Sequence, residues 1–262
     1  MTPELMSVLS ENKLPDWATS IFSKKIFEAL GADTVRFVGG AVRDSMLNIP
    51  VSDIDMATSH SPEIVMKKLS ACGLKVIPTG IKHGTVTAVY ESEAREITTL
   101  RIDQETDGRH ATVAYTDNWY ADAARRDFTI NALYLSADGA LFDPFGGAAD
   151  VQAQRVRFIG DAATRIKEDA LRILRFYRFS SRYARSIDRA GQTACHNACQ
   201  QIDGLSAERV RGELLKLLSA KQPDDALCAM TDAGVTARIF HGQHNLAALL
   251  RQLVFDRESK IE

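Results

Sequence analysis

Apolar positions along the chain change their spacing once. Up to about Gly160, short β-rich runs such as Val35–Val38, Thr85–Tyr90 and Arg95–Leu100 alternate with stretches of helical character, the pattern of a domain in which strands and helices share one core. One helical stretch opens with Ser61-Pro62-Glu63, an N-cap residue followed by proline at the first helical position. Beyond Gly160, apolar residues recur at steps of three and four with little β-branching. That pattern predicts packed helices, most clearly over Ala162–Arg185, Ala207–Ala220 and Asp224–Ala233. Two domains follow, an α/β head over residues 1–159 and an all-helical region over 160–262. Between Arg101 and Asn118 the segment RIDQETDGRHATVAYTDN is polar and predicted irregular, with Gly108 free to bend. Loops of that length in compact domains tend to be functional or disordered.

Composition narrows this picture. A chain of 262 residues with 45% hydrophobic and 25% charged residues can bury a real core, which excludes a disordered or fibrous protein. The net charge of −2 and a pI near 6.3 rule out a globally basic nucleic-acid binder. Any RNA contact must come from a local basic surface. The N-terminal MTPELMSVLSENKLPDW has no apolar run fit for a signal peptide or a membrane span, which predicts a cytoplasmic protein without a membrane partner. Four cysteines, Cys72, Cys195, Cys199 and Cys228, suit free thiols in a reducing compartment. Cys195, His196 and Cys199 lack the second ligand pair of a zinc site, so buried helix thiols are expected instead. His241 and His244 have no companion ligands and are expected as surface or packing residues.

The candidate chemistry concentrates in FVGGAVRDSMLNIPVSDIDM, Phe37 to Met56. A strand runs into two glycines and then into helix-forming residues from Ala41. Such a turn lets backbone N–H groups approach phosphate oxygens, and Arg43 adds a full positive charge beside them. Taken alone, a Gly-Gly turn is more often a structural tight turn. The Asp53-Ile54-Asp55 triplet changes the balance. On a strand, residues two apart share a face, so both carboxylates converge while Ile54 packs inward. Two like charges of this kind call for a cation, and an all-oxygen donor set suits Mg²⁺. A lone D-x-D would read as a solvated turn; the Gly-Gly-x-x-Arg-Asp turn upstream favours the metal.

Here the chain resembles the class II CCA-adding tRNA nucleotidyltransferases and the related bacterial poly(A) polymerases, members of the polymerase β-like nucleotidyltransferase superfamily. The resemblance runs from about Phe37 to Leu218 in ordered blocks: GGAVRD with DID, REITTLR, RRDFTINAL, DPFGG, EDALRILRFYRF and ERVRGELLKLL. It implies an α+β fold, a head with a small mixed sheet and flanking helices followed by a helical neck. It further implies that Gly40 and Arg43 touch the nucleoside triphosphate, that Asp53 and Asp55 hold Mg²⁺, and that Glu96 is the third carboxylate, where a bare reading would give an exposed strand glutamate. Arg126 would bind the nucleotide, Asp127 and Asn131 would recognise the ribose, and Asp169, Arg172, Arg175 and Arg178 would meet the base and phosphates. Relatives continue through further helical regions that grip tRNA; this chain stops at Glu262, so much of that grip is expected to be absent.

The spacing of arginines adds an independent expectation. Arg172, Arg175, Arg178, Arg182, Arg185 and Arg189 recur at three and four, which on a helix gathers them on one flank opposite Ile173, Leu174, Phe176 and Tyr177. A stripe without interleaved acids repels itself and calls for an anionic partner such as triphosphate or RNA. The expected activity is addition of C and A to the tRNA 3′ end from CTP and ATP with release of pyrophosphate. Poly(A) addition, partial CC- or A-addition and an idle RNA- or nucleotide-binding remnant are the alternatives. The segment around Asp107-Gly108-Arg109 corresponds to the loop implicated, in relatives, in the move from C to A addition. Asp169, an acceptor, and Arg172, a donor, three apart on a helix, match the donor–acceptor edge that cytosine and adenine share. Nothing in the sequence addresses oligomeric state.

Overall fold

The computed structural model describes residues 14–106, 111–240 and 248. Their contacts divide the chain into two compact units, one ending at Gln152 and one beginning at Ala153. Residues 153–159, expected with the head, go with the helices for a physical reason. Phe158 stacks on Phe176 with ring centroids 5.4 Å apart, and the Arg185 N–H donates to the Gln154 carbonyl at 2.8 Å.

The first unit is built on a mixed sheet. Its strands are β1 (Val35–Val38), β2 (Asp55–Thr58), β3 (Lys75–Gly80), β4 (Thr85–Tyr90), β5 (Glu93–Thr99), β8 (Tyr134–Leu135) and β9 (Leu141–Phe142), in the order β3-β4-β5-β2-β1-β8-β9; β6 (Arg101–Thr106) and β7 (Ala111–Tyr115) form a separate pair. β2 runs parallel to β5, and every other neighbouring pair is antiparallel. The helices Ile21–Leu30 and Pro62–Ala71 pack together. Phe22, Ile26 and Leu30 from the first of them are buried, as are Phe37, Met56, Val86 and Ile97 from the sheet. Phe37 receives Trp17 and Phe27 edge-on, at 4.7 and 5.1 Å. Aromatic pairs of this geometry add to the burial that holds the layers together.

Two expectations change here. The segment after Leu100 is an antiparallel hairpin, β6 against β7, with Arg101 opposite Tyr115 and Ile102 opposite Ala114. Its polarity suggested irregular chain, yet Ile102, Val113 and Tyr115 and the surrounding threonines are good strand formers, and polar residues suit a two-stranded ribbon. Asp107–His110 lie outside the described residues. Asp53 also precedes the strand it was expected on. β2 begins at Asp55 because its partner β1 ends at Val38, opposite Asp55, and turns away at Gly39.

The second unit consists of the helices Ala162–Glu168, Leu171–Tyr183, Arg189–Ala198, Ala207–Leu218, Asp224–Asp232 and Val235–Ile239. The Leu171–Tyr183 helix buries Ile173, Leu174, Phe176 and Tyr177, the apolar side expected of it. The helix predicted over 162–185 is broken at Asp169, whose backbone is extended (φ −152, ψ 105) and whose carboxylate caps the Leu171 N–H at 3.1 Å. It ends at Tyr183, so Arg185 sits in the following turn and Arg189 opens the next helix. Cys195 is buried in that helix and Cys199 half-buried just beyond it. Burial pushes the Cys195 thiol well up against the opposing bond from Tyr177, which keeps it protonated and unreactive. His241 and His244 lie outside the described residues. No helix among the described residues is long and apolar enough to cross a membrane.

Candidate active site

The site of the head assembles where β1 ends and β2 begins, beside the middle of β5. Val38 lies opposite Asp55 across the antiparallel pair, and Asp55 lies opposite Glu96 across the parallel one. Residues in register on adjacent strands share a face, so Asp55 and Glu96 are neighbours. Exposure alternates as the sequence predicts: Asp53 and Asp55 are exposed and Ile54 is buried. The same alternation on β5 turns Arg95 and Ile97 inward and Glu96 outward.

Crowding is visible in the electrostatics. Asp55 keeps solvent contact, yet the protein around its carboxyl displaces enough water to raise its pKa above the ordinary carboxylate range; Glu96 adds to the rise, Arg126 opposes it and Asp53 adds again. Carboxylates that repel one another are relieved by a cation. Among the described residues, no three His, Cys, Asp or Glu side chains close into a ready-made metal cage. Mg²⁺ does not require one, since it commonly takes one or two carboxylates and fills its octahedron with water and substrate phosphate. The donor chemistry of Asp53 and Asp55 fits that ion.

Arg126 approaches this acidic end from an anchored base. Asp122, almost wholly buried, accepts from Arg126 Nη2 at 3.1 Å, from Arg125 Nε at 2.9 Å and from the Tyr134 hydroxyl at 2.7 Å. The Tyr134 oxygen in turn accepts from Arg126 Nε at 3.0 Å. Burial alone would raise the Asp122 pKa, but Arg126, Arg125 and Tyr134 outweigh it and hold the carboxyl below its usual range. Burial likewise pushes the Tyr134 phenol up, so it stays a donor. Asp122 and Tyr134 were not anticipated. The local signal for Asp122 was present in its spacing of three and four from Arg125 and Arg126, the separation at which helical side chains meet; Tyr134 carried none.

The Gly-Gly turn and the RRDFTINAL block are joined directly. Gly39 has φ 69, a backbone conformation that favours glycine, and a β-carbon there would lie 3.6 Å from the Asn131 carbonyl and 3.8 Å from Arg126 Nη1. Arg43 is buried: Nη1 donates to the Asn131 side-chain carbonyl and Nε to Asp44 at 2.8 Å. Asn131 Nδ2 then donates to Asp127 at 3.0 Å, and Asp127 also accepts from the Phe128 N–H at 2.9 Å. Arg43, Asn131 and Asp127, expected as separate contacts to substrate, thus form one chain of bonds beneath the turn. The DPFGG block supports it from the side. Asp143 caps the Gly147–Gln152 helix through the Gly147 and Ala148 N–H groups at 2.7 and 2.9 Å, and a β-carbon on Gly147 would lie 2.2 Å from the Thr129 carbonyl.

In the helical unit each remaining candidate meets a group of opposite charge. Arg209 Nη2 reaches both oxygens of Asp169, at 3.0 and 2.9 Å. Arg172 donates to Glu168 at 2.5 Å and to the Arg165 carbonyl at 2.8 Å. Arg178 donates to Glu213, a buried carboxylate that also lies 3.8 Å from Arg175. The arginine stripe therefore does not rely on an external anion alone, because the Ala207–Leu218 helix brings an acid to it. Nor do Asp169 and Arg172 stand on neighbouring turns of one helix, since Asp169 occupies the break before it.

Comparison with known proteins places this geometry. Residues 35–157 match the family model of the poly A polymerase head domain, and residues 186–246 match that of the probable RNA and SrmB-binding site of polymerase A. The mouse protein named CCA tRNA nucleotidyltransferase 1, mitochondrial, is 40% identical over 246 residues, which cover 91% of this chain and 54% of that one. The CCA-adding enzyme of Lactobacillus johnsonii is 37% identical over 250 residues, 93% of this chain and 61% of its own. Among solved structures, the Bacillus stearothermophilus CCA-adding enzyme in complex with CTP superposes with a TM-score of 0.72 at 34% identity, covering 91% of this chain and 54% of that one. The chain spans about half the length of the curated relatives it matches.

Proposed function

The chain belongs to the family of CCA-adding enzymes and poly(A) polymerases, and from that premise we propose that it is a metal-dependent tRNA nucleotidyltransferase adding C and A to the tRNA 3′ end from CTP and ATP, with release of pyrophosphate. The observation that carries this reading is the register that sets Asp55, the first residue of β2, beside Glu96 within β5, with Arg126 and the Gly39-Gly40 turn next to them. A nucleotidyltransferase head is thereby followed by a nucleotide- and RNA-binding neck.

In the proposed reaction the RNA 3′-hydroxyl attacks the α-phosphate and pyrophosphate leaves. Asp53 and Asp55 would hold Mg²⁺, which lowers the pKa of a hydroxyl and neutralises charge on a leaving phosphate. Glu96 adds negative charge that favours retention of the cation. The N–H groups near Gly40 and the Arg126 guanidinium face the triphosphate. Arg126 stays protonated because Tyr134 and Asp122 outweigh the effect of its burial. Arg43, buried against Asn131 and Asp44, lends positive potential to the turn from beneath and braces Asn131 and Asp127 near the ribose. Asp169 and Arg172 address the base edge, and Arg175 and Arg178 the phosphates. For Asp169 this means exchanging the Arg209 pair for the base.

The test is incorporation of single labelled nucleotides with Mg²⁺ on tRNAs ending at the discriminator base, at C or at CC. C should enter the first two and A the third, and Asp53→Ala should remove both while leaving the circular dichroism spectrum unchanged. Long runs of A without C would establish poly(A) addition instead. Nucleotide binding without incorporation on any substrate would establish an idle remnant.

A further inference from the structure

We propose that the Thr79 and Thr87 hydroxyls, beside the acidic centre of the head, form a subsite for the 2′-hydroxyl of the primer's terminal ribose and so make the site prefer an RNA end to a DNA end. The choice of ligand rests on the nucleotidyltransferase reading above; the place of the subsite rests on the sheet. In register across four strands stand Val38 on β1, Asp55 on β2, Glu96 on β5 and Thr87 on β4. Residues opposite one another share a face, so one row runs from the Gly39-Gly40 turn through the carboxylates to Thr87. The other face is closed. Val86, Ala88, Arg95 and Ile97 are buried there, Arg95 lies over the Phe22 ring, and the Pro62–Ala71 helix packs against β3 and β4.

The order of that row decides what each part can hold. Displacement at the α-phosphorus keeps the attacking and leaving oxygens roughly in line. With the triphosphate and its leaving pyrophosphate on the Gly39-Gly40 side, the attacking 3′-hydroxyl comes from the side of β5 and β4. Its neighbour on the ribose then lies over Thr87. One strand spacing, about 4.8 Å, separates Glu96 from Thr87, the reach of an adjacent ribose hydroxyl and one hydrogen bond. Thr87 is buried and Thr79 exposed, their hydroxyl oxygens 2.7 Å apart. Pairing of β3 with β4 is irregular between Ile77 and Gly80, and an irregularity of this kind re-aims a side chain. The two hydroxyls spend one hydrogen on each other and keep one to donate, together with oxygens that accept. A ribose 2′-hydroxyl is likewise donor and acceptor, and it is the group that distinguishes RNA from DNA. Neutral hydroxyls next to Glu96 suit it better than they suit a phosphate.

The experiment uses the full chain with Mg²⁺ and ATP on two tRNAs ending in CC, whose last cytidine carries either a 2′-hydroxyl or a 2′-hydrogen; both keep the 3′-hydroxyl. For the ribose end kcat/KM should be about 3- to 10-fold higher, the worth of one hydrogen bond between neutral groups. In Thr79→Val/Thr87→Val, which keeps side-chain shape and strand preference, the ribose-ended tRNA should fall to the level of the other, with KM for ATP unchanged. Thr79→Val alone, at an exposed position, gives the same test should the double variant not fold. Thr79→Ser/Thr87→Ser should keep the preference. So should Thr85→Val/Thr98→Val, which removes a second hydroxyl pair, 2.9 Å apart and two residues along β4 and β5. The proposal is overturned if the unaltered chain shows no ribose preference, if the preference survives in the Thr79→Val/Thr87→Val variant, or if Thr85→Val/Thr98→Val removes it equally. Should the chain incorporate nothing on any tRNA, the enzymatic reading falls and anisotropy judges the subsite. The two tRNAs, fluorescently labelled, should then still differ in affinity for the Mg²⁺-loaded chain in the same Thr79- and Thr87-dependent way, and equal affinity would overturn the subsite too.

Discussion

Asp122 shows how much one buried carboxylate carries. Replacing it with asparagine would remove the carboxylate charge that Arg125 and Arg126 share, in a site that is 1% exposed at Asp122. Breaking a buried pair from one side costs about 3–5 kcal/mol, and losing the single Tyr134 hydroxyl bond in Tyr134→Phe costs about 1 kcal/mol. Urea unfolding should rank the two in that order, and both should raise the KM for CTP, Asp122→Asn more. The pH dependence has a definite sign. Because the folded pKa of Asp122 is depressed, its stabilisation is complete above the ordinary carboxylate value of 3.8 and is lost as pH falls through the lower folded value. Asp55 behaves in the opposite sense. Its folded pKa is raised, so metal-free protein loses stability as pH climbs from 3.8 through that raised value. Asp55→Asn should therefore melt higher than the unaltered chain at neutral pH in EDTA, while losing nucleotide addition and the stabilisation by Mg²⁺. Equal melting temperatures in EDTA would show that Asp55 is not crowded. The alternation that exposes Asp53 and Asp55 around buried Ile54 was legible from sequence; that Arg43 points into the protein was not, because its partner Asn131 lies 88 residues away.

At the scale of elements, the sequence located most strands and helices but not the places where the chain interrupts them. Val35–Val38 and Thr85–Tyr90 are strands as spaced, and Pro62 opens its helix. The break at Asp169 escaped periodicity, since apolar spacing continues across it; its extended backbone and its capping of Leu171 reveal it. The acid facing Arg178 escaped as well, being supplied by Glu213 from a helix 35 residues on. Glycines mark where elements touch. Gly147→Ala would place a β-carbon 2.2 Å from the Thr129 carbonyl, and Gly191→Ala would place one 2.6 Å from the Phe176 ring. Overpacking costs roughly 1–3 kcal/mol, and a clash with backbone belongs at the upper end. Gly147→Ala should thus lower stability by about 3 kcal/mol, and nucleotide addition should fall with it, because the Thr129–Asn131 turn carries Asn131. Gly191→Ala should lower stability while leaving Mg²⁺ affinity of the head unchanged. Calorimetry and Mg²⁺ titration separate the two.

For the whole molecule, charge segregation matters more than net charge. The near-neutral total hides acids gathered around Asp55 in the head and arginines gathered on the helices. Ligand linkage should reveal the head's role: CTP at 100 times its dissociation constant, with Mg²⁺, should stabilise the chain by about 2.7 kcal/mol. Asp53→Ala should lose most of that shift, and an undiminished shift would place CTP away from Asp53. The register of the central strands also has a consequence for how this head tolerates change in chain length. Side chains on a strand obey parity. Val38 is matched to Asp55 and Asp55 to Glu96, so a single residue inserted within β2 would exchange the face of an acid for that of Met56, while a pair would restore the face but displace the carboxylate by roughly 6.7 Å. The link Leu47–Ser52 obeys no such rule and can lengthen by odd or even numbers. Insertions and deletions that leave an active head should accordingly cluster in that link, and the strands should hold their residue count fixed.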